Sequence, residues 1–292
     1  MTIVREFAPA KVNLTLEVLG RRADGYHELN SLVAFASVGD HVTLDTSKPV
    51  GTSVTGPFGM TIAGANLIDV TLAKLAAAEP RLQLGHVTLE KQLPIAAGIG
   101  GGSADAAAVL RAVRRVNPAL VDAVDWNAIA VSLGADVPVC LASRLSWMRG
   151  LGERVLPLEA AEAINLPALI VNPLAPVPAD KTAQVFRALA AAPVGSERPA
   201  AATDRARWDE ATLRSFVRES RNDLQEAAGR VVPLIGGVLA ALAASPGCDL
   251  ARMSGGGPTC FALFQSEKDA ESAARQIALR HSGWWVQITT LN

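Results

Sequence analysis

The stretch Pro94-Ile95-Ala96-Ala97-Gly98-Ile99-Gly100-Gly101-Gly102-Ser103-Ala104 runs directly into the alanine-rich segment Asp105-Ala106-Ala107-Ala108-Val109-Leu110. A glycine-dense turn that opens a helix can hold an anion, because unpaired backbone N–H groups and the positive end of the helix dipole converge there. Three successive glycines, Gly100 to Gly102, let the backbone approach a phosphate with no side chain in the way. The segment lacks the Lys-Ser/Thr that closes a P-loop. Ser103 stands where a dinucleotide fingerprint starting at Gly98 needs its third glycine. Phosphate binding is the chemistry to expect, and a tight strand-to-helix turn packed on a neighbouring helix is the purely structural alternative.

Other residues able to do chemistry are scattered. Alternation over residues 10–19 puts Val12, Leu14, Leu16 and Val18 on one face of a half-buried strand and Lys11, Asn13, Thr15 and Glu17 on the other, so Lys11 and Asn13 project together. Asp136 follows the glycine that should end a helix over residues 126–133. Tyr26 is the chain's one tyrosine, and it adjoins His27, one of four histidines, after an Asp24-Gly25 turn. Cys140, Cys248 and Cys260 are far apart and have no zinc-ligand spacing, which fits a reduced, cytoplasmic protein.

The elements that must position these residues are of α+β type. A strand over residues 32–44 is expected to break near Gly39-Asp40. Asn66 caps a helix through Leu67, Val70, Leu75 and Ala76 that must stop by Pro80, and a strand through Val87 and Leu89 follows. The helix after the glycine loop should carry Asp105 in its first turn and Arg114 and Arg115 in its last, before Asn117-Pro118. Beyond it lie a strand at residues 168–171, helices at 182–191 and 206–230, and a Pro/Ala-rich loop at 193–202 between those helices. The chain then reads strand from Asp249, Gly255-Gly256-Gly257 turn, strand 260–264, helix 267–280 and strand 284–289. A domain boundary is placed near residue 160, giving domains 1–160 and 161–292.

The 292 residues are 50% apolar and 19% charged, with a net charge of −1. That composition supports a substantial core and excludes global disorder. It offers no overall field to draw in nucleic acid or an anionic membrane. No apolar run approaches the ~20 residues of a membrane span, and the first residues lack a signal-peptide pattern. A soluble, unprocessed protein, monomer or homodimer, is expected.

Residues 94–110 resemble the second motif of the GHMP kinases, the small-molecule kinases named for galactose, homoserine, mevalonate and phosphomevalonate. Pro9-Ala10-Lys11-Val12-Asn13-Leu14 resembles their first motif, and Met253-Ser254-Gly255-Gly256-Gly257-Pro258-Thr259-Cys260-Phe261 their third. The three occur in the family's order and span the chain. Two further stretches, at residues 20–29 (with Asp24-Gly25-Tyr26-His27) and 133–139, resemble a member that acts on a cytidine-diphosphate-linked alcohol. Departures are mild: Ala104 replaces a frequent second serine, Gly256 and Pro258 stand where serine and alanine are common, and Met148 replaces an aromatic or small residue.

The resemblance implies a two-domain α+β kinase with its active site in the cleft between domains. It implies transfer of the γ-phosphoryl group of ATP, with Mg²⁺, to the 2-hydroxyl of the erythritol part of the acceptor, in non-mevalonate isoprenoid precursor synthesis. Asp136 would be the base and Lys11 its partner, with the triphosphate on Pro94 to Ala104. Asn66 would lie near the adenine, helix capping being its alternative, and Ser103, the one hydroxyl at the helix start, would lie near the metal-bound phosphates. Tyr26 would stack on cytosine, His27 would bond its edge and Phe186 would close the other face, while core packing would also explain Tyr26 and Phe186. Asn13 would contact substrate or make a sheet hydrogen bond. The Gly255 to Thr259 turn would support the first motif and the phosphate loop. Another acceptor (homoserine, mevalonate or a sugar) leaves Asp24-Gly25-Tyr26-His27 unexplained, and a catalytically inactive ligand-binding relative has no need of Lys11 and Asp136 together.

Overall fold

The computed structural model describes residues 2–59, 66–159, 164–195 and 208–292. The chain divides into two compact units: Met1–Lys11, Val38–Ile95 and Gly100–Ser143 form the first, and Val12–Ser37, Ala96–Ile99 and Arg144–Asn292 the second. The units therefore interleave along the sequence, where a single division near residue 160 was expected. Two long strands, β1 (Ile3–Asn13) and β3 (His27–Asp45), each pass from one unit to the other within their length. Residue 160 itself lies outside the described residues.

In the first unit β3 pairs antiparallel with β5 (His86–Glu90), which pairs in parallel with β4 (Gly51–Thr55). Val42, Leu44, Val87 and Leu89 are fully buried at alternate positions, the period of a strand with one face on a core. Helices α1 (Leu67–Ala78), α2 (Gly101–Val116), α3 (Trp126–Leu133) and α4 (Val137–Ala142) follow. α2 packs against the other three. Its run of buried alanines, Ala104, Ala106, Ala107 and Ala108, presents little side-chain bulk at those contacts. Local signals set the helix ends: Asn66 Oδ1 accepts from the Ile68 N–H at 3.1 Å, Asp125 Oδ1 accepts from Ala128, and Gly134 terminates α3.

Three expectations for this region change. β3 is unbroken, because Gly39 permits a close approach instead of ending the strand. A Cβ there would lie 2.3 Å from the Ala8 carbonyl oxygen. α2 begins at Gly101, after Gly100 with φ of +63°, so two of the three glycines are helical and Asp105 lies past the first turn, buried. From Ala8 to Asn13 the first strand is covered on both faces, with Lys11 and Asn13 buried like Ala10 and Val12. It ends at Asn13, where the Leu14 and Thr15 amides both turn to the Leu32 carbonyl, and resumes as β2 (Glu17–Arg21).

The second unit holds the antiparallel order β11-β8-β10-β9, formed by β8 (Leu166–Asn172), β9 (Cys248–Met253), β10 (Cys260–Phe264) and β11 (Trp285–Leu291). Leu169, Val171, Ala262 and Phe264 share its core with Val185, Leu224, Val238 and Ile277. These last come from α5 (Lys181–Leu189), the segment after α6 (Glu210–Glu219), α8 (Leu234–Ala243) and α9 (Glu267–Arg280). The helix expected over 206–230 is two helices, α6 and α7 (Gln225–Val231). Asn222 holds the break, its amide donating to the Met253 and Gly255 carbonyls while its oxygen caps the Leu224 N–H. Residues 206–207, and the Pro/Ala-rich loop from 196 onward, lie outside the described residues. A hairpin, β6 (Ser146–Gly150) and β7 (Arg154–Pro157), pairs with β3 through β6 and was not foreseen, nor was α8. Among the described residues no helix is long and apolar enough to cross a membrane.

Candidate active site

The start of α2 is the chemical centre of the first unit. Among the described residues no partner is found for the backbone N–H groups of residues 100–103; the first amide to donate inward is that of Ala104, to the Gly100 carbonyl at 2.8 Å. No side chain caps this end either. Four donors and a dipole end therefore point outward together, an arrangement suited to phosphate oxygens. Gly102 is exposed, and a Cβ there would meet nothing within 4 Å, so the approach is open.

Beneath this helix start lie two buried lysines. The Lys11 stem packs under Gly100, whose Cβ would lie 3.1 Å from that of Lys11. Its ammonium lies 2.8 Å from Asp136 Oδ1, with the lysine side chain 4% and the aspartate side chain 34% exposed. Asp136 precedes α4 but makes no capping bond with its side chain, which leaves the carboxylate to Lys11 and to the open side. The pair thus stands beside the unpaired N–H groups, all within one unit.

The second lysine, Lys91, lies under Gly101 and bridges Asp40 at 2.5 Å and Asp105 at 2.7 Å. Asp40 also accepts from the Gln92 and Leu93 amides. Burial opposes the charge on Lys91, but Asp105 and Asp40 outweigh it and hold the ammonium above its ordinary pKa. Burial dominates at Asp105 and pushes its carboxyl up to about 8 against the pull of Lys91. Its Oδ1 is buried without a partner among the described residues.

Asn66 caps α1 through its oxygen, the alternative expected for it, while Nδ2 is a buried donor with no partner among the described residues. Ser103 is half-buried in the first turn of α2. Among the described residues no three His, Cys, Asp or Glu side chains converge as a metal cage. A divalent ion here would have to take most of its ligands from phosphates and water, with a hydroxyl such as that of Ser103 within the chemistry available.

In the second unit, residues 96–99 clamp onto the Gly255–Gly257 turn. Thr259 donates its N–H to the Ala97 carbonyl at 3.1 Å, and Ser254 Oγ donates to the Gly98 carbonyl at 3.2 Å. A Cβ on Gly98 would sit 2.5 Å from the Gly257 oxygen. Ala96, Gly98 and Gly100 all have positive φ at alternate positions, the alternation from which concave N–H nests are built. Ser254 Oγ also accepts from the Asn13 N–H, and Asn13 Nδ2 donates to Ser31 Oγ at 2.7 Å. Asn13 is therefore fixed by the sheet and the glycine turn, and its Oδ1 is left buried with no partner among the described residues.

Tyr26 is 64% exposed, which rules out core packing. Its N–H is held by Asp24 Oδ1 and its carbonyl by the Arg22 amide. His27 stacks on Phe186 with ring centroids 4.5 Å apart and planes 20° from parallel. Burial, and then the nearby charge of Arg21, lower the His27 pKa below the ordinary imidazole value. Sequence reasoning missed Lys181. It is buried at the start of α5 and donates to the Ala96 carbonyl at 3.3 Å and to the Gly257 carbonyl. Nothing in the local pattern marks it, since its partners lie 85 and 76 positions away. Lys91 was missed for the same reason.

Residues 66–144 match the model of the GHMP kinases N terminal domain, and residues 205–281 that of the GHMP kinases C terminal. The chain is 48% identical over 302 residues to a Methylobacterium radiotolerans protein named 4-diphosphocytidyl-2-C-methyl-D-erythritol kinase, covering 100% of each. It is 43% identical over 308 residues to a protein of the same name from Bradyrhizobium diazoefficiens, covering 100% of this chain and 99% of that one. A crystal structure of 4-(cytidine 5'-diphospho)-2C-methyl-D-erythritol kinase superposes with a TM-score of 0.77 at 35% identity, covering 99% of both chains. Homoserine kinase from Cytophaga hutchinsonii shares the fold, with a TM-score of 0.67 at 19% identity over 100% of this chain and 96% of that one. The three glycine- and lysine-bearing motifs, both matched domains and full-length identity to named relatives agree, and the chain belongs to the GHMP kinase family.

Proposed function

We propose that this protein transfers the γ-phosphoryl group of ATP to the 2-hydroxyl of 4-diphosphocytidyl-2-C-methyl-D-erythritol, in the cytoplasm, as a step toward isoprenoid precursors. The observation that carries the reading is the Lys11–Asp136 pair, 2.8 Å apart, beside a helix start whose N–H groups have no partner. The acceptor comes from the names of the full-length relatives.

Phosphoryl transfer asks the protein for positioning and for neutralisation of charge, with little covalent chemistry. The N–H groups from Ala96 to Ser103 bind the triphosphate, and Asn66 Nδ2 meets the adenosine part. Ser103 would offer its hydroxyl to a bound Mg²⁺, which would supply charge to offset that of the phosphates. Asp136 accepts the proton of the acceptor hydroxyl. Lys11, 2.8 Å away, orients that carboxylate and offsets the charge that develops on the reacting oxygens. Tyr26, exposed and rigidly turned, stacks on the cytosine. His27, held by its stack on Phe186, bonds its edge. Asn13 Oδ1 is an acceptor awaiting a substrate hydroxyl.

ADP release with a panel of acceptors tests this. Turnover is expected with the cytidine-linked alcohol and not with mevalonate, homoserine or galactose. Turnover confined to one of the latter would replace the acceptor, and nucleotide binding without turnover on any of them would make the protein a ligand-binding relative.

A further inference from the structure

Lys181 is the one buried lysine of the second unit that is neither in a family motif nor opposed by a carboxylate among the described residues. Its side chain reaches the carbonyls of Ala96 and Gly257, so it ties the phosphate-loop backbone to the glycine turn. An ammonium has three N–H donors, and two are used. We propose that Lys181 is a phosphate-binding residue, its third donor and its charge serving the phosphate chain of a bound nucleotide. This rests on the reading that residues 94–104 hold nucleotide phosphates.

Lys181 lacks a balancing charge among the described residues. A buried ammonium is costly unless an anion or a full set of hydrogen bonds compensates it. Residues 94–104 and 254–259 contain no acidic side chain. On α5, Asp180 is exposed and engaged with Gln184 and Arg187. On α7, which packs against α5, Glu226 is paired with Arg230 at the surface. None of these compensates Lys181, and burial alone pulls its pKa down to about 8. A phosphate oxygen at the third donor would supply the missing counter-charge and restore the ammonium's basicity. The same helix carries Phe186, which stacks on His27, so the phosphates could be those of ATP on the loop or those of the cytidine-linked acceptor.

Calorimetric titration of ATP and of CDP into wild type, Lys181→Gln and Lys181→Arg separates the outcomes, with melting temperatures of the unliganded variants as a control. Lys181→Gln should weaken one nucleotide about tenfold, the size of one charge-assisted hydrogen bond, and Lys181→Arg should restore most of it. Wild-type affinity should also decline as pH rises above about 8, where the ammonium loses its proton; this arm needs no variant, and Lys181→Gln should lack the decline. Loss confined to ATP assigns Lys181 to the donor, and loss confined to CDP assigns it to the acceptor. Unchanged affinity for both would overturn the proposal, as would an equal loss for both that arginine fails to rescue and that tracks a lowered melting temperature. Wild type that binds neither nucleotide would overturn the kinase reading with it, whereas nucleotide binding indifferent to Lys181 would leave that reading standing.

Discussion

Lys11 Nζ and Asp136 Oδ1 lie 2.8 Å apart, the ammonium buried and the carboxylate one-third open. The asymmetry fits a base whose far side meets a substrate while its near side is held by a fixed charge. Asp136→Asn keeps the shape and removes the proton acceptor, so kcat should fall by about 10²–10⁴ while ATP affinity changes little. Lys11→Met keeps the stem that packs under Gly100 and should also lower kcat. Steady-state turnover and nucleotide titration measure both, and an unchanged kcat for Asp136→Asn would remove that residue from the mechanism.

The glycines of the phosphate segment are not equivalent. Gly98 has φ of +79°, and an added Cβ would stand 2.5 Å from the Gly257 oxygen, a backbone atom that cannot swing aside. Gly98→Ala should cost about 1–2 kcal/mol from the left-handed backbone alone, more with the clash, and should weaken ATP binding with it. Gly102 is helical and faces open space. Gly102→Ala should hold or raise stability, by up to about 1 kcal/mol, because alanine is the better helix former. Urea unfolding of the two variants checks the contrast, and equal destabilisation would contradict it.

The elements that local chemistry determines were legible in the sequence. α3 runs from Trp126 to Leu133 as expected because Asp125 caps it and Gly134 ends it. The carboxy-terminal strand, turn, strand, helix and strand follow from alternation, three glycines and the Ser266 cap. What failed depended on distant partners. Gly39 reads as a breaker until Ala8 is seen against it, and Asn222 ends a helix because Met253 and Gly255 offer carbonyls. Strand alternation put Lys11 on a face but left it half-exposed, since nothing local shows that both faces are covered. Its pairing with Asp136 was suggested by family resemblance, not by spacing. Lys91 and Lys181 were silent because the groups that hold them are Asp40, Asp105, Ala96 and Gly257.

Tyr26 presents an exposed ring on a turn pinned by Asp24, with the His27–Phe186 stack next along the chain. An exposed aromatic on a fixed turn costs little entropy on stacking with a base. Tyr26→Ala should raise KM for the cytidine-linked acceptor by about one to two orders of magnitude, the range of a single stacked base, and leave KM for ATP unchanged. Equal effects on both substrates would assign the ring a structural role instead.

Asp105, buried beside Lys91, holds its proton in the folded chain well above the usual carboxylate range. Burial raises its pKa from 3.8 to about 8 against the pull of Lys91, 2.7 Å away, and the like charge of Asp40 pushes the same way as burial. The folded value lies above the unfolded one, so the stability linked to this group is complete below about pH 4 and is lost as pH rises toward 8. The steepest loss is on the order of 1.4 kcal/mol per pH unit. Asp105→Asn carries no titrating proton and escapes that loss. The difference in unfolding free energy should therefore move in favour of the variant between pH 5 and pH 8, as read by urea titration at each pH. A difference that stays constant over that interval would mean that Asp105 is ionised throughout, its charge shared with Asp40 on Lys91.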